Sequence, residues 1–358
     1  MHAHLLLVCA LGLVAFGLGI SILGAQNSLA IASSPSFMQL VEDTADLAET
    51  QTFPHDVRLI LIGDIMLGRY VETLMRMHGW GYPFETIDGV LADADAVIGN
   101  LEGPIIAGPQ TPDESLVFEF EPEVAAAMAD HHITAVSIDN NHGLDQGSAG
   151  VDATRSHLAV VGITPFGDPR EKDGGYASLP VSGYSMGLIS INLVGARAVP
   201  QKVLDVVSAS RDRDDLVIVF PHWGSEYSTT HSAAQEEQAN ELASAGANAV
   251  VGHHPHVVQD IQMIDEVPVI YSLGNFIFDQ YFSEETERSL LVRLTLSDAT
   301  VTFEFIPLIS RDSQPALMDA SDADAFLQAI AARSDGGLAD AIRNGMITVR
   351  YPERVVSE

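Results

Sequence analysis

The stretch Val57-Arg58-Leu59-Ile60-Leu61-Ile62-Gly63-Asp64 decides the fold class of this chain. Apart from Arg58 it is a continuous apolar run, which is typical of a central strand buried on both faces of an α/β sheet. A carboxylate at the carboxyl end of such a strand lies where open α/β sheets place their ligands. We therefore expect Asp64 to belong to a functional site at the edge of a sheet.

Further apolar runs alternate with segments of helical pattern along the chain. Strands are predicted at 94–99, 133–138, 186–194, 216–220 and 249–251, and helices at 67–78, 120–132, 148–161, 199–210 and 232–245. A β-rich part follows, with strands predicted at 267–272, 290–296 and 301–306, and then helices at 323–333 and 338–343. Alternating strands and helices predict a sheet that is covered by helices, and so an α/β fold.

Side chains of metal-binding type follow the predicted strands. They are Asp64, Glu102 after Gly99-Asn100-Leu101, the pair Asn141-His142, His222, and the cluster Gly252-His253-His254-Pro255-His256. Pro255 fixes its own φ and biases His254 toward extended geometry, so the imidazoles on either side of it can converge. Each residue alone also fits a helix cap, a turn or a core position. Their repetition at successive strand ends predicts one composite site.

The donor set indicates a class of metal. Neutral imidazole is the commonest protein ligand of transition metals. Carboxylates, an amide and several histidines together suit Mn, Fe or Zn, whereas Ca²⁺ prefers oxygen ligands alone. We therefore expect a transition-metal site rather than a calcium site.

The charge of the chain excludes one class of partner. The 358 residues carry a formal net charge of −32, and the only lysines are Lys172 and Lys202. Without a basic stripe to neutralise phosphates, we expect no nucleic-acid partner. Cys9 is the single cysteine, which excludes a disulfide within the chain and a cysteine-based zinc site.

An uncharged apolar segment lies near the N-terminus, at 5–25. At about 1.5 Å per residue it spans roughly the 30 Å of a bilayer core. It is an uncleaved membrane anchor or a long signal segment cleaved near Ala30-Ile31-Ala32, and its length favours the anchor because cleaved apolar segments run to about 15 residues. We expect an anchor or signal segment at 1–25, a linker at 26–54, one domain at 55–311 and an acidic, helical C-terminal tail at 312–358.

Six motifs in fixed order resemble one known family. They are Gly63-Asp64-Ile65-Met66-Leu67-Gly68-Arg69, Asn100-Leu101-Glu102-Gly103-Pro104, Asn140-Asn141-His142, His222-Trp223-Gly224-Ser225-Glu226-Tyr227, Gly252-His253-His254-Pro255-His256-Val257 and Tyr271-Ser272-Leu273-Gly274-Asn275-Phe276. Together they resemble the CapA family, which is associated with poly-γ-glutamate capsule biosynthesis and is itself similar to the calcineurin-like metallophosphoesterases. The resemblance covers about residues 57 to 310.

The resemblance implies a four-layer αββα sandwich with a two-metal centre at the strand ends. The implied metal ligands are Asp64, Glu102, Asn141, His222, His254 and His256. His142 would stand next to the leaving group as a general acid.

Two departures from the metallophosphoesterase pattern concern the metal centre. Met66 stands where those enzymes have a histidine, and Glu102 stands where they have a bridging aspartate. One of the two metal sites therefore loses a ligand, so we expect one or two divalent ions.

Arg69 and Glu226 are candidate substrate contacts. Arg69 could bind a phosphate or a carboxylate through its forked guanidinium, although an ordinary surface arginine fits the sequence equally well.

The implied function is that of an exported, membrane-anchored, metal-dependent hydrolase on the extracytoplasmic side of the cell membrane. Its substrate would be an anionic polymer such as poly-γ-glutamate, or a phosphoester. The alternative is a non-catalytic subunit of a polyglutamate synthesis or export complex, with a structural or vestigial metal site. In either case membrane-bound polyglutamate synthase subunits are possible partners.

Overall fold

The computed structural model describes residues 56–108, 116–171, 174–297 and 300–350. The strands within these ranges are β1 Val57–Ile65, β2 Ala96–Leu101, β3 Ile133–Ser137, β4 Thr164–Phe166, β5 Gly175–Val181, β6 Tyr184–Asn192, β7 Leu216–His222, β8 Ala249–Val251, β9 Ile261–Ile264, β10 Val267–Ile270, β11 Asn275–Ile277, β12 Arg288–Leu296, β13 Thr300–Arg311, β14 Gln314–Leu317 and β15 Met346–Arg350. The α-helices are α1 Arg69–His78, α2 Asp88–Leu91, α3 Glu123–Asp130, α4 Gly147–Val160, α5 Gln201–Arg211, α6 Ala233–Ala245, α7 Ala320–Arg333 and α8 Ala339–Arg343.

The strands form two sheets. The first has the order β14-β13-β12-β1-β2-β3-β4, with β11 beside β1 and β15 beside β13, and the second has the order β5-β6-β7-β8-β10-β9. Strands β1 to β4 run parallel to one another, and so do β6, β7, β8 and β10. Parallel strands present their carboxyl ends at one edge of a sheet, which is where the candidate ligands stand.

The two sheets pack face to face, and helices cover both outer faces. Leu59 and Leu61 of β1 join the core between the sheets, while Ile60 and Ile62 point into the core under the helices of the first sheet. A third core packs the outer face of the second sheet against α5 and α6. Both faces of the central strands are therefore buried, which explains their unbroken apolar sequence. The predicted αββα sandwich is confirmed.

The region expected to be a helical tail, 312–358, differs in part from that expectation. Helices α7 and α8 lie close to where they were predicted, but β14 and β15 both pair antiparallel with β13. The first sheet therefore continues beyond residue 311. Short edge strands such as these carry a weak sequence signal, and Pro315 within β14 points away from a strand.

The predicted anchor at 1–25 and linker at 26–54 lie outside the described residues. Within the described ranges, no helix is both long enough and apolar enough to cross a membrane.

Candidate metal centre

The strand ends of both sheets bring the expected ligand residues together. Ligand atoms of Asp64, Glu102 and His222 lie within 4.8 Å of one another. A second group with the same spacing consists of His254, His256 and Glu226. The two groups adjoin, because Nδ1 of His256 lies 3.4 Å from Oδ2 of Asp64.

Two glycines allow the backbone to approach closely at this edge. A Cβ atom at Gly63 would lie 1.9 Å from the carbonyl oxygen of Gly274, and one at Gly252 would lie 2.1 Å from that of Tyr271. No real Cβ atom tolerates such a distance from a backbone atom, so both positions require glycine. They immediately precede Asp64 and the histidine cluster, and so they set where those ligands stand.

Two buried asparagines support the first group of ligands. Nδ2 of Asn100 donates to Oδ1 of Asp64 at 2.9 Å, and Oδ1 of Asn100 accepts from Nδ2 of Asn140 at 3.2 Å. Asn140 also donates to the backbone carbonyl of Leu101 at 2.8 Å. Sequence reasoning gave neither asparagine a role. The signal was their position beside Glu102 and Asn141 in the same motifs.

Glu102 is the clearest indication that a cation belongs here. Its side chain is fully buried, and neither carboxyl oxygen has a hydrogen-bond partner among the described residues. Burial raises the pKa of this carboxyl well above its usual range. An unpaired buried carboxylate is costly, whereas a divalent cation would satisfy both oxygens. The residues present therefore fit a metal ion.

The histidines of the site differ in how their surroundings shift their pKa values. Burial lowers the pKa of His222 well below its usual range and that of His254 to about 4, which keeps both imidazoles in the neutral form that binds metals. Nδ1 of His254 is buried and has no hydrogen-bond partner among the described residues.

His256 lies between the two buried carboxylates. Burial alone would lower its pKa, but the charge of Glu102 and the contact with Asp64 outweigh burial and raise it to about 9. Nε2 of His256 is 3.6 Å from Oε1 of Glu102. The carboxylates thus favour positive charge at this point, whether an imidazolium or a metal ion carries it.

Asn141 and His142 are predicted to have different roles: Asn141 is expected to touch the metal and His142 the substrate. Oδ1 of Asn141 lies 2.6 Å from Nε2 of His222, so the amide oxygen and the imidazole meet at the cluster. His142 places Nε2 at 3.9 Å from Oε1 of Glu102, while its Nδ1 lies 2.8 Å from Oδ2 of Asp145.

Asp145 is a contact of His142 that sequence reasoning missed. Its Oδ2 also accepts the backbone N–H of Phe118 at 2.7 Å, and the ring of Phe118 stacks on that of His142 with centroids 4.0 Å apart. A carboxylate that accepts from Nδ1 fixes the tautomer and leaves Nε2 directed at the cluster. The only sequence signal was an acid three residues after the histidine.

Arg69 is engaged within the protein. Its Nε donates to Oδ2 of Asp279 at 3.1 Å, and its guanidinium lies 5.1 Å from the ring centroid of Phe118 and 5.5 Å from that of Phe278. Its role as a substrate contact stays a prediction. The other candidate contact, Glu226, is exposed and lies beside His254 and His256.

Comparison with known proteins places this arrangement in a family. A sequence profile described as "Bacterial capsule synthesis protein PGA_cap" matches residues 58–280. The chain is 30% identical over 284 residues to the capsule biosynthesis protein CapA of Bacillus anthracis, an alignment that covers 72% of this chain and 68% of that protein. It is 27% identical over 293 residues to the PGA biosynthesis protein CapA of Bacillus subtilis (strain 168), with 76% and 77% covered.

Among solved structures, a hypothetical protein from Thermus thermophilus is similar with a TM-score of 0.42 and 15% identity, over 73% of this chain and 96% of that one. The sequence match is the informative one, because residues 58–280 are more than half of the chain and include all six motifs. The chain therefore belongs to the PGA_cap family of bacterial capsule synthesis proteins, which confirms the resemblance to the CapA family.

Proposed function

We propose that the chain is a divalent-metal-dependent hydrolase that acts in the synthesis, export or processing of an anionic cell-surface polymer such as poly-γ-glutamate. The observation that carries the proposal is that buried ligand atoms of Glu102 and His254 have no hydrogen-bond partner within the described ranges, next to an imidazole that a carboxylate orients. The polymer is inferred from relatives whose names refer to capsule and PGA biosynthesis.

The residues that would hold the metal are Asp64, Glu102, Asn141, His222, His254 and His256. A divalent ion bound there would activate water and neutralise charge on the scissile group. Asp145 accepts a hydrogen bond from Nδ1 of His142 and would stabilise a doubly protonated ring, whose Nε2–H could then give its proton to the leaving group. Protonation of the leaving group is the step that this chain's own side chains perform most directly.

The charge of the chain bears on substrate binding. A polyanion is repelled by a protein of net charge −32, so positive charge must be supplied locally by bound metal and by arginines such as Arg69. At 0.1 M ionic strength, salt largely screens the repulsion between exposed charges that are more than about 10 Å apart. Substrate binding should therefore improve as salt is raised from low concentration.

We further propose that the segment at 5–25 anchors the chain in the cell membrane, with the domain on the extracytoplasmic side and membrane polyglutamate synthase subunits as partners. The support is the length and apolar character of that segment. Full-length protein should then stay in the membrane fraction after a high-salt wash. A soluble product that begins near Ser33 would show a cleaved signal instead.

A second candidate function is a non-catalytic subunit of a polyglutamate synthesis or export complex. Met66 favours it, because a fully buried thioether stands where the related phosphoesterases have a histidine ligand. Under this alternative the metal site is structural and His142 has no task.

Hydrolysis by two variants separates the candidates. Asn141→Ala should lower metal content and activity together, whereas His142→Ala should keep the metal and lose roughly 10²–10⁴ in rate. An aryl phosphodiester, which has a good leaving group, should be much less sensitive to His142→Ala than an alkyl phosphodiester. His157→Ala, a histidine of α4, is the matched control.

The substrates to test are phosphoesters and γ-glutamyl peptides, each with the metal-loaded chain. Absence of turnover on all of them would favour the non-catalytic subunit. Turnover that His142→Ala leaves unchanged would remove the proposed role of His142.

A further inference from the structure

The candidate metal centre lacks one ligand of the metallophosphoesterase pattern, because Met66 stands in place of a histidine. Met66 cannot serve as the missing histidine ligand, because it is fully buried and its sulfur accepts the backbone N–H of Gly68 at 3.2 Å. A carboxylate from a different strand end, Glu226, instead lies with His254 and His256 in a group whose ligand atoms are within 4.8 Å of one another.

We propose that Glu226 is a metal ligand, and that with His254 and His256 it holds a second divalent transition-metal ion. This assigns Glu226 to the metal rather than to the substrate contact that its motif suggested. The inference rests on the metal centre of the proposed function, but it does not require turnover.

Backbone contacts fasten the loop of Glu226 to the loop of the histidines. The N–H of Tyr227 donates to the carbonyl of Pro255 at 2.8 Å, and the N–H of His253 donates to the carbonyl of Pro221 at 3.0 Å. These hydrogen bonds hold the loop of Glu226 next to the loop that carries the two imidazoles. The three ligand side chains would therefore already be close together before a metal ion binds.

Backbone strain is concentrated at the same place. His254, His256 and Tyr227 adopt positive φ values of 97°, 59° and 63°, which residues other than glycine rarely adopt. His254 therefore does not have the extended geometry that Pro255 was expected to favour. Strain of this kind persists where surrounding structure enforces it, commonly at ligand sites. Here two of the strained residues are the histidines whose imidazoles lie beside Glu226.

An unpartnered donor supports the assignment independently. His254 is 4% exposed, and its Nδ1 has no hydrogen-bond partner among the described residues.

The charges of the two groups are also consistent with a pair of ions. Asp64 and Glu102 supply two negative charges to the first group, and Glu226 supplies one to the second. Two divalent cations would then leave a net charge of about +1 across the site. That balance gives an otherwise acidic protein a local attraction for an anionic substrate.

Manganese titration of the purified full-length chain tests the assignment. We expect wild type to bind two Mn²⁺ ions, with the electron paramagnetic resonance signal of a coupled pair. In Glu226→Gln the second ion should bind at least about tenfold more weakly, since loss of even an indirect partner of a metal ligand costs 10–100-fold. The coupled signal should give way to that of a single ion.

Two further variants make the result specific. Glu237→Gln changes an exposed carboxylate of α6 and should bind as wild type does. Glu226→His replaces the carboxylate by a nitrogen ligand and should keep the second ion. This contrast with Glu226→Gln is specific, because a substrate-binding role of Glu226 would leave metal binding unchanged in both variants. Glu226 is exposed, so equal melting temperatures of the metal-free proteins are expected and check that each variant folds.

Two ions bound unchanged in Glu226→Gln would overturn the inference, and so would a single ion in wild type that Glu226→Gln retains. Failure of the proposed function looks different. A chain that hydrolyses nothing but loses one of two ions in Glu226→Gln would keep this inference and remove the hydrolase.

Discussion

Nδ1 of His142 lies 2.8 Å from Oδ2 of Asp145, while Nε2 of the same ring lies 3.9 Å from Oε1 of Glu102. One side chain thus joins a positioning carboxylate to the metal centre. The order of contacts assigns a proton to Nδ1 and directs Nε2 at the place where a substrate would meet the metal.

Asp145→Asn should reproduce the effect of His142→Ala. An amide has no charge with which to stabilise the doubly protonated ring that gives its proton from Nε2, so the general-acid role of His142 is weakened. We expect a loss of roughly 10²–10⁴ in rate on substrates with poor leaving groups, with little change on good ones.

The control for that prediction is Asp152→Asn, an exposed acid in α4. Asp145 also accepts the N–H of Phe118, so some loss of stability is expected in Asp145→Asn. A uniform loss on every substrate would indicate that the variant only loosens the fold, because dependence on the leaving group is what a structural role does not produce.

Metal binding should stabilise the fold, because the ligand cluster exists only in the folded chain. At a free Mn²⁺ concentration of about 100 times Kd the gain is about 2.7 kcal/mol in the free energy of unfolding. Glu102→Gln should lose this gain, yet the metal-free variant should be no less stable than metal-free wild type, because burial raises the pKa of Glu102 and opposes its charged form. Thermal melting with and without Mn²⁺ measures both, and a full metal response in Glu102→Gln would exclude Glu102 as a ligand.

His231 and Asp260 should make stability depend on pH. Nδ1 of His231 lies 2.6 Å from Oδ2 of Asp260, and this hydrogen bond raises the pKa of the imidazole, with a smaller contribution from Glu236. Because the folded pKa exceeds the unfolded one, the contribution is complete below the usual value of about 6.5 and is lost as pH rises through the raised value.

Denaturant unfolding of wild type and His231→Gln tests this sign. The difference in the free energy of unfolding should be largest near pH 5 and shrink toward about pH 9. Asp260→Asn should abolish the same dependence. A difference that grows with pH would contradict the assignment.

Gly252→Ala should be severely destabilising. The added Cβ would lie 2.1 Å from the carbonyl oxygen of Tyr271, a backbone atom directly after β10 that cannot move aside as the end of a flexible side chain would. We expect a loss of about 3 kcal/mol or more in the free energy of unfolding. Gly89→Ala in α2 is the control, because no described atom lies within 4 Å of its Cβ position, and it should be neutral or slightly stabilising. Equal stability of the two variants would show that the approach at Gly252 is not tight.

Local patterns in the sequence were sufficient to predict a sheet covered by helices, whereas the two-sheet αββα arrangement was implied by the family resemblance. The apolar run of β1 is unbroken because both faces are buried, and α6 is preceded by its N-cap Ser232, whose Oγ accepts the N–H of Gln235 in a capping box. Signals of this kind extend over a few residues, so they can be read without knowing the rest of the chain. The sequence could also indicate that ligand residues end the strands, because parallel strands finish at a common edge.

The edge strands and the contacts between side chains distant in sequence could not be predicted from local patterns. β14 and β15 are short, and only their pairing with β13 makes them strands. Arg69 meets Asp279 across 210 residues of sequence, and no local pattern could have matched them.

The sequence by itself determined which residue types of metal-binding kind follow the strands, and the family resemblance implied that one ligand would be missing at Met66. Only the tertiary structure decided that Glu226 stands with His254 and His256, and that Asp145 turns His142 toward Glu102. The reason is physical. Residue type follows from the sequence, whereas the few ångströms that separate a ligand from a bystander depend on how distant loops pack and hydrogen-bond to one another.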